Sequence, residues 1–396
     1  MKAELVTTDA ALDELREPWN RLAGGDPLAS WEWRTAWRRI MAGDRPLAVA
    51  AVRSGERIVG LLPGFVKTHP WMGRTLSLLG SGKTCTDYQR PLLDPELSAT
   101  ERDLALELLL DCLTSRPRGI GRLDQIELDG CDLHDESVQL FVDALARRGF
   151  QIHPEPIEGS WVTHLPADWD AFVAGVPRSQ RRKINKAVKR CAGGEITYHE
   201  ATDAESIAAI WPEFVRLHEL RFIKKYGGGC FSDPVFEEFL RTAAIALSAR
   251  QAAKIVWVEH LGRPISSQIY LLSPTTAHMY QSGVDPDYLH LEPGHLLFTE
   301  VLRRLIAQGY SKLDFLRGDE AYKGGWNAQA VPLTRLIAVA PRATSRWRYG
   351  SRNWARSLKR AAVAAWRARK AQASRSEPTA SGEPRETSHE LEPVAT

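Results

Sequence analysis

From Leu313 to Trp326 the chain reads Leu-Asp-Phe-Leu-Arg-Gly-Asp-Glu-Ala-Tyr-Lys-Gly-Gly-Trp. Asp314, Arg317, Asp319, Glu320, Tyr322 and Lys323 thus place three carboxylates, two cations and a phenol within ten positions. The apolar residues ahead of them predict a strand over 312–315, so the polar cluster falls on the loop at its end. Open α/β folds bind ligands at the ends of their strands. Such a set can supply a base, an acid and a stabiliser for a developing oxyanion. The competing reading is structural: an Asp314–Arg317 pair that pins the loop over the strand end.

Another stretch imitates a functional motif. Gly80-Ser81-Gly82-Lys83-Thr84 ends like a phosphate-binding loop. That motif needs a glycine where Ser77 stands, and a helix after Thr84 whose N–H groups face the phosphate. Cys85-Thr86-Asp87-Tyr88-Gln89-Arg90-Pro91 is not helical in pattern, so a turn-rich loop is expected and Lys83 is not read as a phosphate ligand.

Two basic segments stand out against a net charge of only +3. Seven of the thirteen residues 178–190 are Lys or Arg and none is acidic. This is a solvated face, a site for an anionic acceptor such as a nucleotide-sugar or phospholipid-linked glycan, or a tRNA contact. No acid occurs from Arg342 to Lys370, where Trp347, Trp354, Leu358, Ala361 and Ala365 follow helical spacing. Residues 346–370 therefore read as an amphipathic helix. It either lies on an anionic membrane or packs back on the body.

The elements that would position these residues come in two similar runs. Strand 2–6, helices 12–22 and 31–41, a hairpin over 47–52 and 58–65, strand 74–79, helix 99–113, strand 123–128, helix 137–148 and strand 150–153 fill the first half. Strand 195–200, helices 204–222 and 234–248, a hairpin over 254–259 and 265–272, strand 276–284, a helix from Pro293 to Gln308 and strands 312–315 and 333–339 fill the second. Apolar periodicity, the Asp233-Pro234 start and the Gly309 stop support the pattern.

Composition bounds the class. With 396 residues, 43% of them hydrophobic and 26% charged, the chain is globular and long enough for two domains. Five scattered cysteines, none at Cys-x-x-Cys spacing, predict neither a disulfide framework nor a thiolate metal site. No metal and no DNA partner are expected. The N-terminus lacks a signal-peptide core, and no apolar run is long enough to span a membrane. A cytoplasmic, at most membrane-peripheral, protein is expected.

The 314–326 stretch resembles the Asp-Phe-x-Arg-Gly-x-x-x-Tyr-Lys signature of GNAT-like acetyltransferases of the CelD/BcsL type, relatives of the Fem aminoacyltransferases. The likeness extends over roughly residues 1–340. It takes in Ser179-Gln180-Arg181-Arg182-Lys183-Ile184, the Arg221-Phe222 to Gly229 segment, Phe231-Ser232-Asp233, Pro264-Ile265, Tyr280, Gly283, Asp285 and Pro293-Gly294. In the first half it takes in Trp19, Pro27, Trp31, Trp37, Leu62-Pro63, Gly73-Arg74 and Asp87-Tyr88.

The resemblance implies an α/β (α+β) fold of two tandem GNAT-like lobes with mixed central sheets. The expected limits are 1–155 and 156–341, followed by a basic helix over 342–373 and a disordered tail over 374–396. It implies an acyltransferase that moves an acyl group, acetyl above all, from acetyl-CoA or another acyl-CoA to an amine or hydroxyl. The acceptor class it suggests is a small molecule or a cell-envelope glycan precursor. The donor is expected at Tyr280, Gly283, Pro293, Gly294 and His295, with Gln268, Trp326, Arg181 and Arg182 on the acceptor. Lys323 would stabilise the oxyanion and Tyr322 act as acid. Asp314 or Glu320 would be the base, with Arg317 beside them. The usual GNAT donor loop, Gln/Arg-x-x-Gly-x-Gly/Ala, is replaced by Leu291-Glu292-Pro293-Gly294-His295. An aminoacyl-tRNA-dependent transferase and a non-catalytic envelope-assembly module are therefore the rival readings.

Overall fold

A computed structural model describes residues 1–318 and 323–375. Along the first half run β1 (Lys2–Val6), α1 (Asp9–Asp13), α2 (Arg16–Ala23), α3 (Trp31–Ile40), β2 (Leu47–Ser54), β3 (Arg57–His69), β4 (Gly73–Leu78), β5 (Leu92–Leu93), α4 (Ala99–Thr114), β6 (Gln125–Cys131), α5 (Glu136–Arg147) and β7 (Gln151–Pro156). The single helix expected over 12–22 is two, because Thr8 caps a first short turn that stops at Glu14. Ser30 caps α3 by accepting from the Trp33 N–H.

The second half continues with β8 (Ser160–His164), α6 (Trp169–Gly175), α7 (Arg178–Ala192), β9 (Ile196–Ala201), α8 (Ala204–Tyr226), α9 (Pro234–Ser248), β10 (Ala253–His260), β11 (Arg263–Leu272), β12 (Thr276–Val284), α10 (Pro293–Ala307), β13 (Lys312–Asp314), β14 (Gln329–Val331) and β15 (Thr334–Val339). Asp203 caps α8, and Gly227, at φ 79°, stops it in the left-handed conformation that glycine adopts without a Cβ clash. Asp233 caps α9 ahead of Pro234. The last helix, α11, spans Ala343–Arg375.

The two sheets share one plan. The first runs β1-β2-β3-β4-β6-β15-β7 and the second β9-β10-β11-β12-β13-β8-β14. In each, four antiparallel strands meet a fifth in parallel, and two antiparallel strands follow. The repeated order of elements thus folds as two like lobes. One expected limit is corrected. The boundary at 341 places the expected strand 333–339 in the second lobe, but β15 pairs with β6 and β7 of the first sheet. In return β8, which precedes every other element of the second lobe, fills the matching place beside β13. The second lobe is therefore inserted between the last two strands of the first.

Helices α4 and α5 cover one face of the first sheet, with Leu106, Leu109 and Phe141 in that core. Helices α7 and α10 cover one face of the second, with Ile184, Leu297 and Leu302. The two remaining faces share a single core in which α3 of the first lobe meets α9 of the second. Trp33 is fully buried there, edge-on to Phe239 at 4.9 Å and to Tyr280 at 5.1 Å. Lys83 bridges the lobes at the surface, its Nζ 2.7 Å from Asp233 Oδ2. The glycine-rich 80–84 segment is a loop, as its sequence implied.

Candidate functional site

The parallel pairing of β12 with β13 is short. It joins Thr276, Ala277 and His278 to Lys312, Leu313 and Asp314, and β12 then runs on to Val284 without a parallel partner. The strands splay beyond His278, and a pocket of about 500 Å³ opens there. Its wall includes Ser282 and Val284 of β12, Gln268 of β11, Gly294 and His295 at the start of α10, and Trp326.

The start of α10 is built to stay open. Glu292 adopts the left-handed conformation at φ 57°, and its side chain does not cap the helix. A methyl at Gly294 would meet only Val284, at 3.5 Å, so packing within the chain does not demand this glycine. Helix starts carry exposed N–H groups and the positive end of the dipole, which favour an anion. The equivalent helix of the first lobe, α4, is closed by its own capping box, in which Glu101 accepts from the Ser98 N–H at 2.9 Å. The two lobes thus differ at the position where an anion would bind.

Charge around the pocket follows the same logic. Lys183 of α7 lies 3.2 Å from Glu292 Oε1, and Lys186 lies 3.6 Å from its other oxygen. Burial pushes the Glu292 carboxyl up, but Lys183, Lys186 and His295 together outweigh it, and the group sits below the usual carboxylate range. Arg221, near the end of α8, donates to Ser282 Oγ. His295 is pulled down to about 4 by burial, so it is neutral at pH 7. Its Nε2 is 3.0 Å from Gln180 Nε2, and its ring lies 4.8 Å from Trp326. Trp326 also packs on Phe298 at 4.6 Å, and its carbonyl accepts from Thr163 Oγ1.

Asp314 faces away from this pocket. Its neighbour Phe315 stacks on Phe298 at 5.3 Å, and by strand alternation Asp314 points toward the first lobe. There it accepts from Tyr88 Oη at 2.6 Å, from the Leu316 N–H at 2.8 Å and from Ser160 Oγ. His278 Nδ1 stands 3.5 Å from Asp314 Oδ2, an ion-pair distance without hydrogen-bond alignment. Burial pushes Asp314 up, but His278, Ser160 and Tyr88 together hold it below the usual range. Burial pulls His278 down, and Asp314 more than restores it. A cavity of about 820 Å³ between the lobes is lined by Tyr88, His278, Asp314, Lys312, Arg90 and Asp135, among others.

The structure thus divides the residues singled out in the sequence. Pro293, Gly294, His295, Gln268 and Trp326 meet in the splay pocket. The Asp314–Arg317 pair does not form. Arg317 instead makes a buried ion pair with Asp87 of the first lobe and lies 3.8 Å from Asp129. A methyl at Gly130 would overlap the Arg317 guanidinium. Lys323 is buried and donates to the Gly318 carbonyl at 2.7 Å. Tyr280 is the extra residue of a bulge between β11 and β12, and its hydroxyl donates to the Thr84 carbonyl at 2.7 Å. Gly283 lets α8 approach β12: a Cβ there would sit 2.5 Å from the Leu217 carbonyl carbon. Arg181 donates to the Val173 and Ala174 carbonyls at the end of α6. Arg182 lines a separate groove on α7 with Lys186, Lys189 and Arg190. Glu320 and Tyr322 lie outside the described residues. Among the described residues no His, Cys, Asp and Glu group could hold a metal.

Gln180, Lys183 and Arg221 entered the sequence reading only as parts of the family likeness and of the basic segment, without a role at the donor, and Ser282 was not singled out. Gln180 and Lys183 are three apart on α7, so they share the face turned to α10. That spacing was readable; the direction of the face was not.

Residues 178–324 match the family described as "Acetyltransferase (GNAT) domain". The solved structure of FemX is similar over 86% of this chain and 98% of its own, at 13% identity and a TM-score of 0.61. L-PGS from Bacillus licheniformis, at 11% identity and a TM-score of 0.45, covers 85% of this chain and 92% of its own. A tandem GNAT protein from the clavulanic acid biosynthesis pathway, at 13% and 0.42, covers 86% and 99%. No curated protein matches the sequence. Two tandem GNAT-like lobes are the fold of this chain.

Proposed function

We propose that the second lobe is an acyltransferase whose donor is an acyl-CoA thioester, with acetyl-CoA the first candidate. The observation that carries this reading is the pocket at the β12–β13 splay, with the open start of α10 at its wall and Lys183 and Arg221 beside it. A helix start with adjacent cations suits a pyrophosphate. The Gly294 N–H, Lys183 and Arg221 would hold the diphosphate. Gln268 and Ser282 would lie along the amide-bearing arm. The GNAT match over 178–324 supports the same lobe as the reactive one.

The acceptor amine or hydroxyl would enter from the cavity between the lobes, whose mixed carboxylates and cations suit a polar molecule of the glycan-precursor class. The chain's contribution to the reaction is to hold two reactants in register and to stabilise the charge that develops on the carbonyl oxygen. Lys323, bonded to the Gly318 carbonyl, and Arg317, paired with Asp87, would fix the ends of the segment after β13 for this.

The test is ligand-dependent melting with acetyl-CoA, longer acyl-CoAs and free coenzyme A. A ligand present at a hundred times its Kd stabilises by about 2.7 kcal/mol. Lys183→Ala and Arg221→Ala should reduce the shift, while Arg182→Ala, in the other groove, should leave it intact. Lys323→Ala should lower turnover with any acceptor found, and melting of the same variant separates loss of chemistry from loss of fold. Absence of any shift with all three ligand classes would reject the donor assignment.

A further inference from the structure

The helix α11 carries 33 residues, Ala343–Arg375, a length of about 50 Å at 1.5 Å per residue. From Trp347 on, the described residues form a unit distinct from residues 1–346. Ten Lys or Arg residues and no Asp or Glu lie between Ala343 and Arg375. Trp347, Trp354, Leu358 and Trp366 are exposed by 68%, 67%, 49% and 61%. At about 100° per residue, Trp347, Trp354 and Leu358 fall within about 40° of one another on the helix, a continuous apolar stripe. Arg352 and Arg356 lie roughly opposite that stripe, and Arg346 and Arg348 flank it.

Each feature narrows what could cover this face. A second copy of the helix would bring ten cations against ten. A transmembrane course is excluded, because no helix of the described residues is long and apolar enough to cross a bilayer. A nucleic-acid backbone would satisfy the cations and leave the indole stripe in water. An anionic bilayer satisfies both, since indoles settle at the headgroup level while guanidinium groups meet lipid phosphate. We infer that α11 lies in the plane of an anionic membrane surface, with Trp347, Trp354 and Leu358 turned into the headgroup–acyl boundary. The inference is independent of the acyl-transfer reading, because it uses no residue of either cavity.

The experiment is co-sedimentation of the full-length protein with two kinds of vesicle. One is phosphatidylcholine alone, and the other is phosphatidylcholine mixed with an equal part of phosphatidylglycerol. Binding to the mixed vesicles, at least about tenfold stronger than to phosphatidylcholine, is expected, with a loss as salt is raised. The Trp347→Ala/Trp354→Ala double variant should bind the mixed vesicles about tenfold more weakly while its melting temperature stays unchanged. Two results would overturn the inference. One is equal or absent binding to both vesicles. The other is a double variant that binds like the parent, which would leave charge alone at work. Displacement of bound protein from mixed vesicles by duplex DNA, with the tryptophan variants unaffected, would likewise assign α11 to nucleic acid and reject the membrane.

Discussion

At the scale of single residues, His295 connects the pocket to pH. Burial pulls its folded-state value down to about 4, against about 6.5 in an unfolded chain. Between those values the unfolded state binds the extra proton, so stability rises with pH through this window and is lost as pH falls from about 6.5 toward 4. Integrated over the full shift, the loss is on the order of 3 kcal/mol. His295→Gln keeps a polar group beside Gln180 and removes the titration. Its acid unfolding curve should therefore be flatter between pH 6.5 and 4 than the parent's. Parallel curves for the two proteins would mean that the imidazole is more hydrated than its packing against Trp326 indicates.

At the scale of elements, the splay depends on how closely α8 lies on β12. Gly283 marks that contact, because the backbone of Leu217 and His218 occupies the space of a Cβ. Backbone atoms cannot rotate away, so overpacking here must shift the helix or the strand. Gly283→Ala should cost about 3 kcal/mol, read as a fall in the denaturant midpoint, and should weaken donor binding because Ser282 and Val284 line the pocket. Gly294→Ala is the contrast: its methyl meets only Val284 at ordinary contact distance. It should leave the midpoint nearly unchanged and act on donor binding alone.

At the scale of the molecule, the exchange of β8 and β15 makes the lobes dependent on one another. Among the described residues β7 of the first sheet pairs only with β15, which arrives after the whole second lobe. Trp33, Phe239 and Tyr280 then join the lobes through a common core. A fragment ending at residue 157 should therefore fail to unfold cooperatively, because it lacks the strand between β6 and β7 and exposes the α3 face. A sharp denaturant transition with a slope suited to its size would contradict this reading.

The amino-acid sequence alone specified what local patterns can specify. Period-two and helical repeats, the Asp233-Pro234 start, the Gly309 stop and the turn-rich loop at 80–84 all correspond to the structure, whereas the helix expected over 204–222 runs on to Tyr226. So does a helix in the basic C-terminal segment, which extends three residues before and five beyond the expected 346–370. The order of elements was enough to foresee two like lobes. What the sequence left undecided was which strand pairs with which. Thr334–Val339 is apolar enough for either sheet, and only the space between β6 and β7 settles its place. The same limit applied to the Asp314–Trp326 stretch. Nearness in sequence suggested one site, yet alternation along β13 sends Asp314 toward Tyr88 and His278 and Phe315 toward the α10 pocket. Arg317 found its carboxylate 230 positions away, in Asp87. Such partners are brought together by packing across the whole fold, and a local pattern carries no record of them.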